Sequence, residues 1–323
     1  MVRLPPKTSW VLLWLLLPLA VFAESGRERR AGDDRQPLRF FFAGTGQLEL
    51  EHAHFSEQLR IQYRHADGSY NPQALAQLNR FFRSRGDGRM QPIPLRLVEL
   101  LAYIQSRYRA RPMVLLSGYR SPEFNEALGE QGRAVALASL HTQALAADIT
   151  MPGIDLRKLW LRLRTEQVGG VGFYERQRFL HVDVGPPRFW EESTSRVGEN
   201  LSAGNARMFA RTDFDRYASL GNAQIRLHSI TALPVRIAAT VTVADSQSDC
   251  VVGELVALDS RIALEDHCWL IREPAERYNF ELRTVDPHCS LPKRQRIRLR
   301  LVTCEPRIER TPDAVLTNPI ELR

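Results

Sequence analysis

The feature that most constrains the fold of this chain is a change of hydrophobic periodicity after Trp190. Before it, segments with apolar residues at helical spacing alternate with short strand-like runs, whereas after it only alternating runs occur. All four cysteines, Cys250, Cys268, Cys289 and Cys304, lie in this second part. We therefore expect an α+β domain followed by a small all-β domain.

The cysteines indicate an oxidising compartment. Their even number and the absence of a C-x-x-C pair predict two disulfide bonds, and the sequence leaves the connectivity open. A metal site at His267-Cys268 and His288-Cys289 is the alternative.

The N-terminal segment predicts export. Arg3 and Lys7 precede an apolar run over residues 10–22, which is typical of a signal peptide spanning residues 1–23. An uncleaved membrane anchor is the alternative, but the run is short for a span and contains Pro18. No second long apolar run follows, so we expect no stable membrane span after signal removal and a periplasmic or otherwise secreted protein.

Local patterns divide the first part into elements. Alternation over residues 47–63 predicts a strand hairpin, and Asn71-Pro72 begins a helix. Further elements are expected as a helix from Pro94, a strand over 112–116, helices begun by Ser121-Pro122 and by Asp155, and strands over 171–174 and 179–184. In the second part, strand-like runs cover residues 223–230, 235–243, 278–285 and 296–304.

The expected organisation follows from these patterns. A charged, flexible leader over residues 24–37 precedes the α+β domain of residues 38–190, and a polar linker over 191–206 leads to the β-rich domain of residues 207–323. The composition, 44% hydrophobic and 25% charged, is that of a globular protein. The net charge of +7 is too small and too dispersed to indicate nucleic-acid binding. The oligomeric state stays open.

Candidate metal ligands occur in two short segments. His141 and Asp148 are seven residues apart, separated mostly by small side chains that permit a tight reversal of the chain. On the strand over 179–184, His181 and Asp183 project from the same face. Two histidines and one aspartate suit Zn²⁺, and three protein ligands leave a position open for water, as in a catalytic site.

These residues lie within a longer set of motifs. The set comprises Ser-Gly-Tyr-Arg-Ser-Pro at 117–122, the His141 and Asp148 segment at 139–148, Gly-Gly-Val-Gly-Phe-Tyr at 169–174, Phe-Leu-His-Val-Asp-Val-Gly at 179–185, and Arg-Phe-Trp at 188–190. Together they resemble the M15 zinc peptidases, in particular the murein endopeptidase K-like family, formerly domain of unknown function 882. The resemblance covers roughly residues 38–190.

The resemblance implies a fold of the hedgehog/D-Ala-D-Ala-peptidase type and hydrolysis of peptide bonds in peptidoglycan stem peptides or cross-links. The ligands of one Zn²⁺ ion fall on His141, Asp148 and His181. Arg120 matches an arginine that binds a substrate carboxylate or the polarised carbonyl, and a structural ion pair is its alternative role. Ala144 stands where the family has glycine; if that position needs a positive φ, alanine there is strained by about 1 kcal/mol.

Two carboxylates are candidates for the general base. Asp183 is the first because it shares a strand face with His181, and a role in orienting that histidine is its alternative. Glu175, six residues before His181, is the second. The expected activity is that of a murein endopeptidase; a D,D-carboxypeptidase and a non-catalytic peptidoglycan-binding module are the alternatives.

Overall fold

The computed structural model describes residues 38–109, 112–131, 139–195, 203–244, 250–284 and 291–323, together with Met1 and Glu199. From residue 38 onward they belong to one compact unit. Residues 2–23 of the expected signal peptide, the expected leader, and residues 196–198 and 200–202 of the expected linker lie outside the described residues. Among the helices in the described ranges, none has the length and apolar character needed to cross a membrane.

The first part of the described chain combines helices with a mixed sheet, as the α+β expectation requires. The helices are α1 (Pro72–Phe81), α2 (Leu95–Tyr108), α3 (Pro122–Glu130) and α4 (Leu156–Glu166). The strands are β1 (Gln47–His52), β2 (Gln58–Gln62), β3 (Met113–Ser117), β4 (Ala146–Thr150), β5 (Gly170–Tyr174), β6 (Phe179–Asp183) and β7 (Arg188–Glu191). Their order in the seven-stranded sheet is β2-β1-β3-β4-β6-β5-β7.

Side-chain caps begin three of the helices where the sequence predicts. Asn71 accepts hydrogen bonds from the backbone at the start of α1, Ser121 does so for α3 and Asp155 for α4. Each cap satisfies backbone N–H groups that have no partner inside the helix. These local signals confirm the predicted helix starts.

Strand β4 differs from the sequence-based expectation. The small residues between His141 and Asp148 predict a tight reversal, but only Ala144 makes the reversal, with φ 56° at the end of a short 3-10 helix over Leu140–Gln143. The residues that follow form β4 at the centre of the sheet, between β3 and β6. Small side chains are compatible with both conformations, so composition alone does not distinguish them.

A buried carboxylate ties the start of the sheet to α2. Glu99 is fully buried and accepts hydrogen bonds from Arg64 Nε at 2.7 Å, from the hydroxyl of Tyr63 at 2.8 Å and from that of Tyr70 at 2.9 Å. The backbone N–H of Gly44 donates a further bond at 3.1 Å. Such a carboxylate is stable inside a protein only because donors satisfy it.

The second part is rich in β-strands, as predicted. The strands are β8 (Phe209–Thr212), β9 (Arg216–Tyr217), β10 (Ala223–His228), β11 (Val235–Val243), β12 (Val251–Ala257), β13 (Ile262–Glu265), β14 (Cys268–Ile271), β15 (Arg277–Thr284), β16 (Arg296–Ile297), β17 (Leu299–Thr303), β18 (Ala314–Leu316) and β19 (Ile320–Leu322). Strand β11 lies inside this sheet, where it pairs with β14, β12 and β17. A separate hydrophobic core fills this part.

A disulfide bond between Cys268 and Cys304 links β14 to the end of β17. Cys268 is therefore not a thiolate, which removes it from the alternative metal site with His267. Cys250 is also disulfide-bonded. Cys289 lies outside the described residues.

Residues of the β-rich part contact the first part in its hydrophobic core and at the segment before β1. Phe209 of β8 belongs to the hydrophobic core of the first part. The ring of Phe40 packs on Phe214 at 5.5 Å, and Asp215 accepts hydrogen bonds from the backbone of Phe41 and from Arg96 of α2. The β-rich part thus contacts the segment before β1, helix α2 and the hydrophobic core of the first part.

Glu99→Gln should destabilise the fold by about 3 kcal/mol, because it leaves Arg64 buried beside a neutral amide. Urea unfolding of the purified protein measures the loss. Glu49→Gln is the matched control, since Glu49 pairs with a largely exposed Arg60 and such pairs contribute about 0.5 kcal/mol or less. Equal effects of the two substitutions would contradict the structural importance of Glu99.

Candidate metal centre

The register of the central strands brings two candidate ligands together. Asp148 on β4 lies directly opposite His181 on β6. Side chains that face each other on neighbouring antiparallel strands project from the same face of the sheet, with Cβ atoms about 5 Å apart. Strand pairing therefore fixes the distance between this carboxylate and this imidazole.

The third candidate, His141, lies in the short 3-10 helix that precedes β4. Ser139 caps that helix by accepting a hydrogen bond from the His141 backbone. The ring Nδ1 of His141 is 2.7 Å from the carbonyl oxygen of Gly118, so Nδ1 carries the proton and Nε2 is left as a lone-pair donor. This contact directs His141 Nε2 towards Asp148.

The three donor atoms converge on one point. His141 Nε2 lies 3.2 Å from Asp148 Oδ1 and 3.2 Å from His181 Nδ1, and His181 Nδ1 lies 3.0 Å from Asp148 Oδ1. Tetrahedral Zn²⁺ with bonds of about 2.0–2.1 Å needs donors about 3.3 Å apart. The donor set and its spacing therefore fit a zinc ion with one remaining coordination position.

The electrostatics of Asp148 and His141 favour the ionised carboxylate and the neutral imidazole that metal ligands require. Burial alone would raise the pKa of Asp148, but His141 and Arg120 lower it well below its ordinary value. Burial, together with the charge of Arg120, lowers the pKa of His141, which keeps its ring neutral. Burial would lower the pKa of His181 as well, yet hydrogen bonds to Asp148 and Asp183 raise it. An anionic carboxylate is thus held between two imidazoles.

Asp183 lies behind the cluster and is fully buried. Its Oδ2 is 2.9 Å from His181 Nε2 and 2.8 Å from Arg188 Nη2, and its Oδ1 accepts hydrogen bonds from the backbone of Gly170 and Gly185. Burial would raise the pKa of Asp183, but Arg188 and His181 lower it. Four donors therefore hold an ionised carboxylate against the outer nitrogen of His181.

Arg120 and Glu175 lie in different surroundings. Arg120 is 12% exposed, and its Nη2 donates to Asp148 Oδ2 at 2.5 Å while its Nε donates to the hydroxyl of Ser117. Glu175 lies in the turn between β5 and β6, 68% exposed and paired with Arg157 at 3.2 Å. Arg120 thus contacts the cluster directly, whereas the Glu175 carboxylate points into solvent.

An aromatic side chain covers one flank of the cluster. The ring of Trp190 lies 5.3 Å from that of His181, and its Nε1 donates to the hydroxyl of Tyr174. The indole crosses β5 at Gly172, where a Cβ atom would come within 2.4 Å of it. Glycine at position 172 therefore allows the tryptophan to reach the histidine.

Sequence reasoning missed two contacts of this site. Arg188 pairs with Asp183 because the Gly-Pro-Pro turn after β6 reverses the chain, a turn signal that was available in the sequence. The side chain of Gln143 bonds to His228, a residue for which the sequence predicts no partner. That pairing joins residues 85 positions apart, and no local pattern indicates it.

Two solved structures match about a third of this chain, both with low structural similarity. The crystal structure of the human F-spondin reeler domain matches 36% of this chain and 88% of its own, with a TM-score of 0.24 and 10% identity. Self-complemented MyfA, the major Myf fimbrial subunit of Yersinia enterocolitica, matches 35% and 98%, with a TM-score of 0.22 and 11% identity. Scores this low establish no shared fold.

The sequence relatives are informative. Peptidoglycan L,D-endopeptidase MepK of Escherichia coli strain K12 is 35% identical over 144 residues, which cover 44% of this chain and 79% of the relative. A probable peptidoglycan L,D-endopeptidase MepK of Haemophilus influenzae is 29% identical over 146 residues, covering 45% and 78%. The model of the peptidase M15_2 family, described as Peptidoglycan L,D-endopeptidase MepK, matches residues 42–190. The three residues His141, Asp148 and His181 thus fall inside the match, and the chain belongs to the MepK-like peptidase M15_2 family.

Proposed function

We propose that this protein is a zinc-dependent murein endopeptidase that hydrolyses peptide bonds in the L,D cross-links of peptidoglycan. The observation that carries the proposal is the convergence of His141, Asp148 and His181 inside the region matched to the MepK family. The similarity to peptidoglycan L,D-endopeptidases supports peptidoglycan stem peptides as substrate and the L,D linkage as the bond that is cut.

His141 Nε2, Asp148 Oδ1 and His181 Nδ1 would hold the ion. A bound zinc ion supplies Lewis acidity, which polarises the scissile carbonyl and acidifies water at the open coordination position. The three side chains supply one negative charge, so the loaded centre keeps a net positive charge with which to attract the carbonyl oxygen. The side chains of Asp148 and His181 retain 10% and 12% exposure, which supports access from that side.

Asp183 acts as a positioning residue for His181. Its oxygens are engaged by Arg188, two backbone N–H groups and His181 itself, which leaves it poorly suited to receive a proton from water. A carboxylate bonded to the outer nitrogen of a ligand histidine fixes the ring orientation and makes it a stronger ligand. We assign this role, the alternative considered from sequence, to Asp183.

We assign the role of general base to Glu175. Its carboxylate is exposed and, among the residues that the structure describes, is paired with Arg157, so it keeps lone pairs for a proton. The role requires the side chain to leave Arg157 and turn towards the substrate, and catalytic hydrogen bonds often align only once substrate is bound. Arg120 in turn holds Asp148 ionised and places positive charge where the oxyanion develops.

The organisation of the chain supports action in the cell wall. We propose that residues 1–23 direct export to the periplasm, that residues 24–37 form a leader, and that residues 38–190 form a peptidase domain of the hedgehog/D-Ala-D-Ala-peptidase type. Residues 191–206 are the proposed linker and residues 207–323 the β-rich domain. The disulfide bond between Cys268 and Cys304 supports an oxidising compartment.

His141→Ala should abolish zinc binding and lower the cleavage rate by about 10³-fold or more, since a metal ion contributes several kcal/mol to catalysis. The assay follows purified L,D-cross-linked muropeptides by chromatography, with zinc measured in each sample. Release of free D-alanine, without separation of cross-linked stems, would instead indicate a D,D-carboxypeptidase. Bound zinc without cleavage of any substrate would favour a binding module and contradict the proposal.

Asp183→Asn and Glu175→Gln should separate positioning from proton transfer. Asp183→Asn should weaken zinc affinity by about 10–100-fold, as loss of a ligand's supporting partner does. Glu175→Gln should leave zinc affinity unchanged and lower kcat by about 10²-fold or more, with loss of the acidic limb of the pH–rate profile. Unchanged zinc affinity in Asp183→Asn together with a lost acidic limb would reverse the two assignments.

Ala144 adopts the positive φ that glycine favours, at 56°, and its side chain is buried. Ala144→Gly relieves strain but loses buried methyl surface, so the free energy of unfolding should change by less than about 1 kcal/mol, and activity by less than about threefold. Ala144→Val should cost about 2 kcal/mol or more because a branched side chain resists this conformation. Urea unfolding measures the stability of each variant, and the muropeptide assay measures its activity. A large gain of activity in Ala144→Gly would show that alanine impairs the enzyme.

A further inference from the structure

The β-rich part contacts the segment that carries His141. His228, at the end of β10, is buried, and its Nδ1 lies 3.0 Å from Gln143 Oε1. The other end of the same amide, Gln143 Nε2, lies 3.5 Å from the hydroxyl of Ser229. Gln143 closes the short 3-10 helix, two residues after His141, so both ends of its amide are held from the β-rich part.

The ring of His228 is fixed in its position by its surroundings. The rings of His228 and Phe209 are stacked at 5.1 Å, with 19° between their planes. Burial, with the charges of Arg211 and Arg226, lowers the pKa of His228 to about 3, so the ring is neutral at physiological pH. A neutral imidazole that donates from Nδ1 to an amide oxygen is a fixed, directional hydrogen bond.

A second contact reaches the segment behind His181. Arg211 of β8 donates from Nη2 to the carbonyl oxygen of Gly185 at 3.3 Å. The N–H of Gly185 donates to Asp183 Oδ1 at 2.7 Å, and Asp183 Oδ2 lies 2.9 Å from His181 Nε2. Three consecutive hydrogen bonds thus connect the β-rich part to a candidate metal ligand.

The guanidinium of Arg211 is buried, which is unusual for an arginine side chain. Burial, together with the charge of Arg96, lowers the pKa of Arg211 to about 9, and Asp215 and Asp183 counteract that effect. It therefore stays charged at neutral pH. Its Nη1 is buried without a hydrogen-bond partner among the residues that the structure describes. A buried guanidinium with an unpaired nitrogen is costly for folding, which points to a role beyond packing.

We propose that the β-rich part is a positioning element of the metal centre: His228, through Gln143, holds the turn that carries His141, and Arg211, through Gly185, holds the turn whose Asp183 orients His181. The inference rests on the proposed function. The positioning residues Arg211 and His228, and Phe209 that stacks on His228, lie outside residues 42–190, the region matched to the family, so this support comes from the part of the chain beyond the match.

The physical basis is the precision that a metal centre needs. Ligand atoms must stay within about 0.5 Å of the productive geometry, and side chains locked by further hydrogen bonds achieve this. His141 lies on a 3-10 helix of four residues, which by itself is a weak scaffold. A bond from a separate, packed sheet restricts the motion of that helix.

A double-mutant cycle tests the first contact in the full-length protein. Gln143→Met and His228→Phe each remove the hydrogen bond while keeping similar volume, and each should weaken Zn²⁺ affinity by about tenfold in competition with a chelator. The double variant should lose no more than either single one, because both act through the same bond. The visible absorption spectrum of the Co²⁺-loaded variants should shift, which reports ligand geometry independently of activity.

Arg261→Gln is the matched control. Arg261 lies in the β-rich part immediately before β13 and bonds to Asp259 rather than to either ligand segment. Its Zn²⁺ affinity and Co²⁺ spectrum should equal those of the wild type. Urea unfolding of every apo variant separates a local effect on the centre from general destabilisation.

Arg211 is tested by Arg211→Met and Arg211→Lys. The first removes the charge and the donor and should weaken Zn²⁺ affinity by about tenfold, whereas the second keeps both and should recover most of the loss. Affinities and spectra like the wild type's in Gln143→Met, His228→Phe and Arg211→Met, in a wild type that binds zinc and cleaves muropeptides, would overturn the inference alone. A wild type that binds no metal would overturn the proposed function, and the inference with it.

Discussion

The geometry of the metal centre depends on how one buried carboxylate is satisfied. Asp183 has no contact with solvent, so its charge must be balanced by donors inside the protein. Arg188, Gly170 and Gly185 supply three of them, and His181 Nε2 supplies the fourth. Because that nitrogen is engaged, the ring presents Nδ1 to Asp148 and His141. The orientation of a ligand is thus set by a charge on the far side of its ring.

Part of this arrangement was predictable from the sequence because it follows from short-range rules. Alternation along a strand puts His181 and Asp183 on one face, and helix caps at Asn71, Ser121 and Asp155 begin helices where expected. The resemblance to the M15 peptidases added the ligand set, and the match to the family model confirms the family itself.

The rest depends on partners that are far apart in the chain. The Glu99 network joins α2 to Tyr63 and Arg64, more than 30 positions earlier, and no local pattern specifies it. The left-handed conformation of Ala144 runs against the preference of alanine, and the backbone N–H groups of Ala144 and Leu145 close the turn by bonding to His141 and Leu140. The pairing of His228 with Gln143 also could not be read from periodicity, because it joins two elements that the sequence assigns to separate domains.

The contacts of residues 38–41 bear on the order in which the protein can fold. Phe41 donates to Asp215, 174 positions later, and the carbonyl oxygen of Phe40 accepts from Arg216. A ribosome must therefore synthesise about two thirds of the chain before the segment leading into the first strand finds its partners. Contacts of such long range form slowly, since the intervening loop loses much entropy when it closes. The segment around Phe40 and Phe41 thus stays without these partners until late in synthesis.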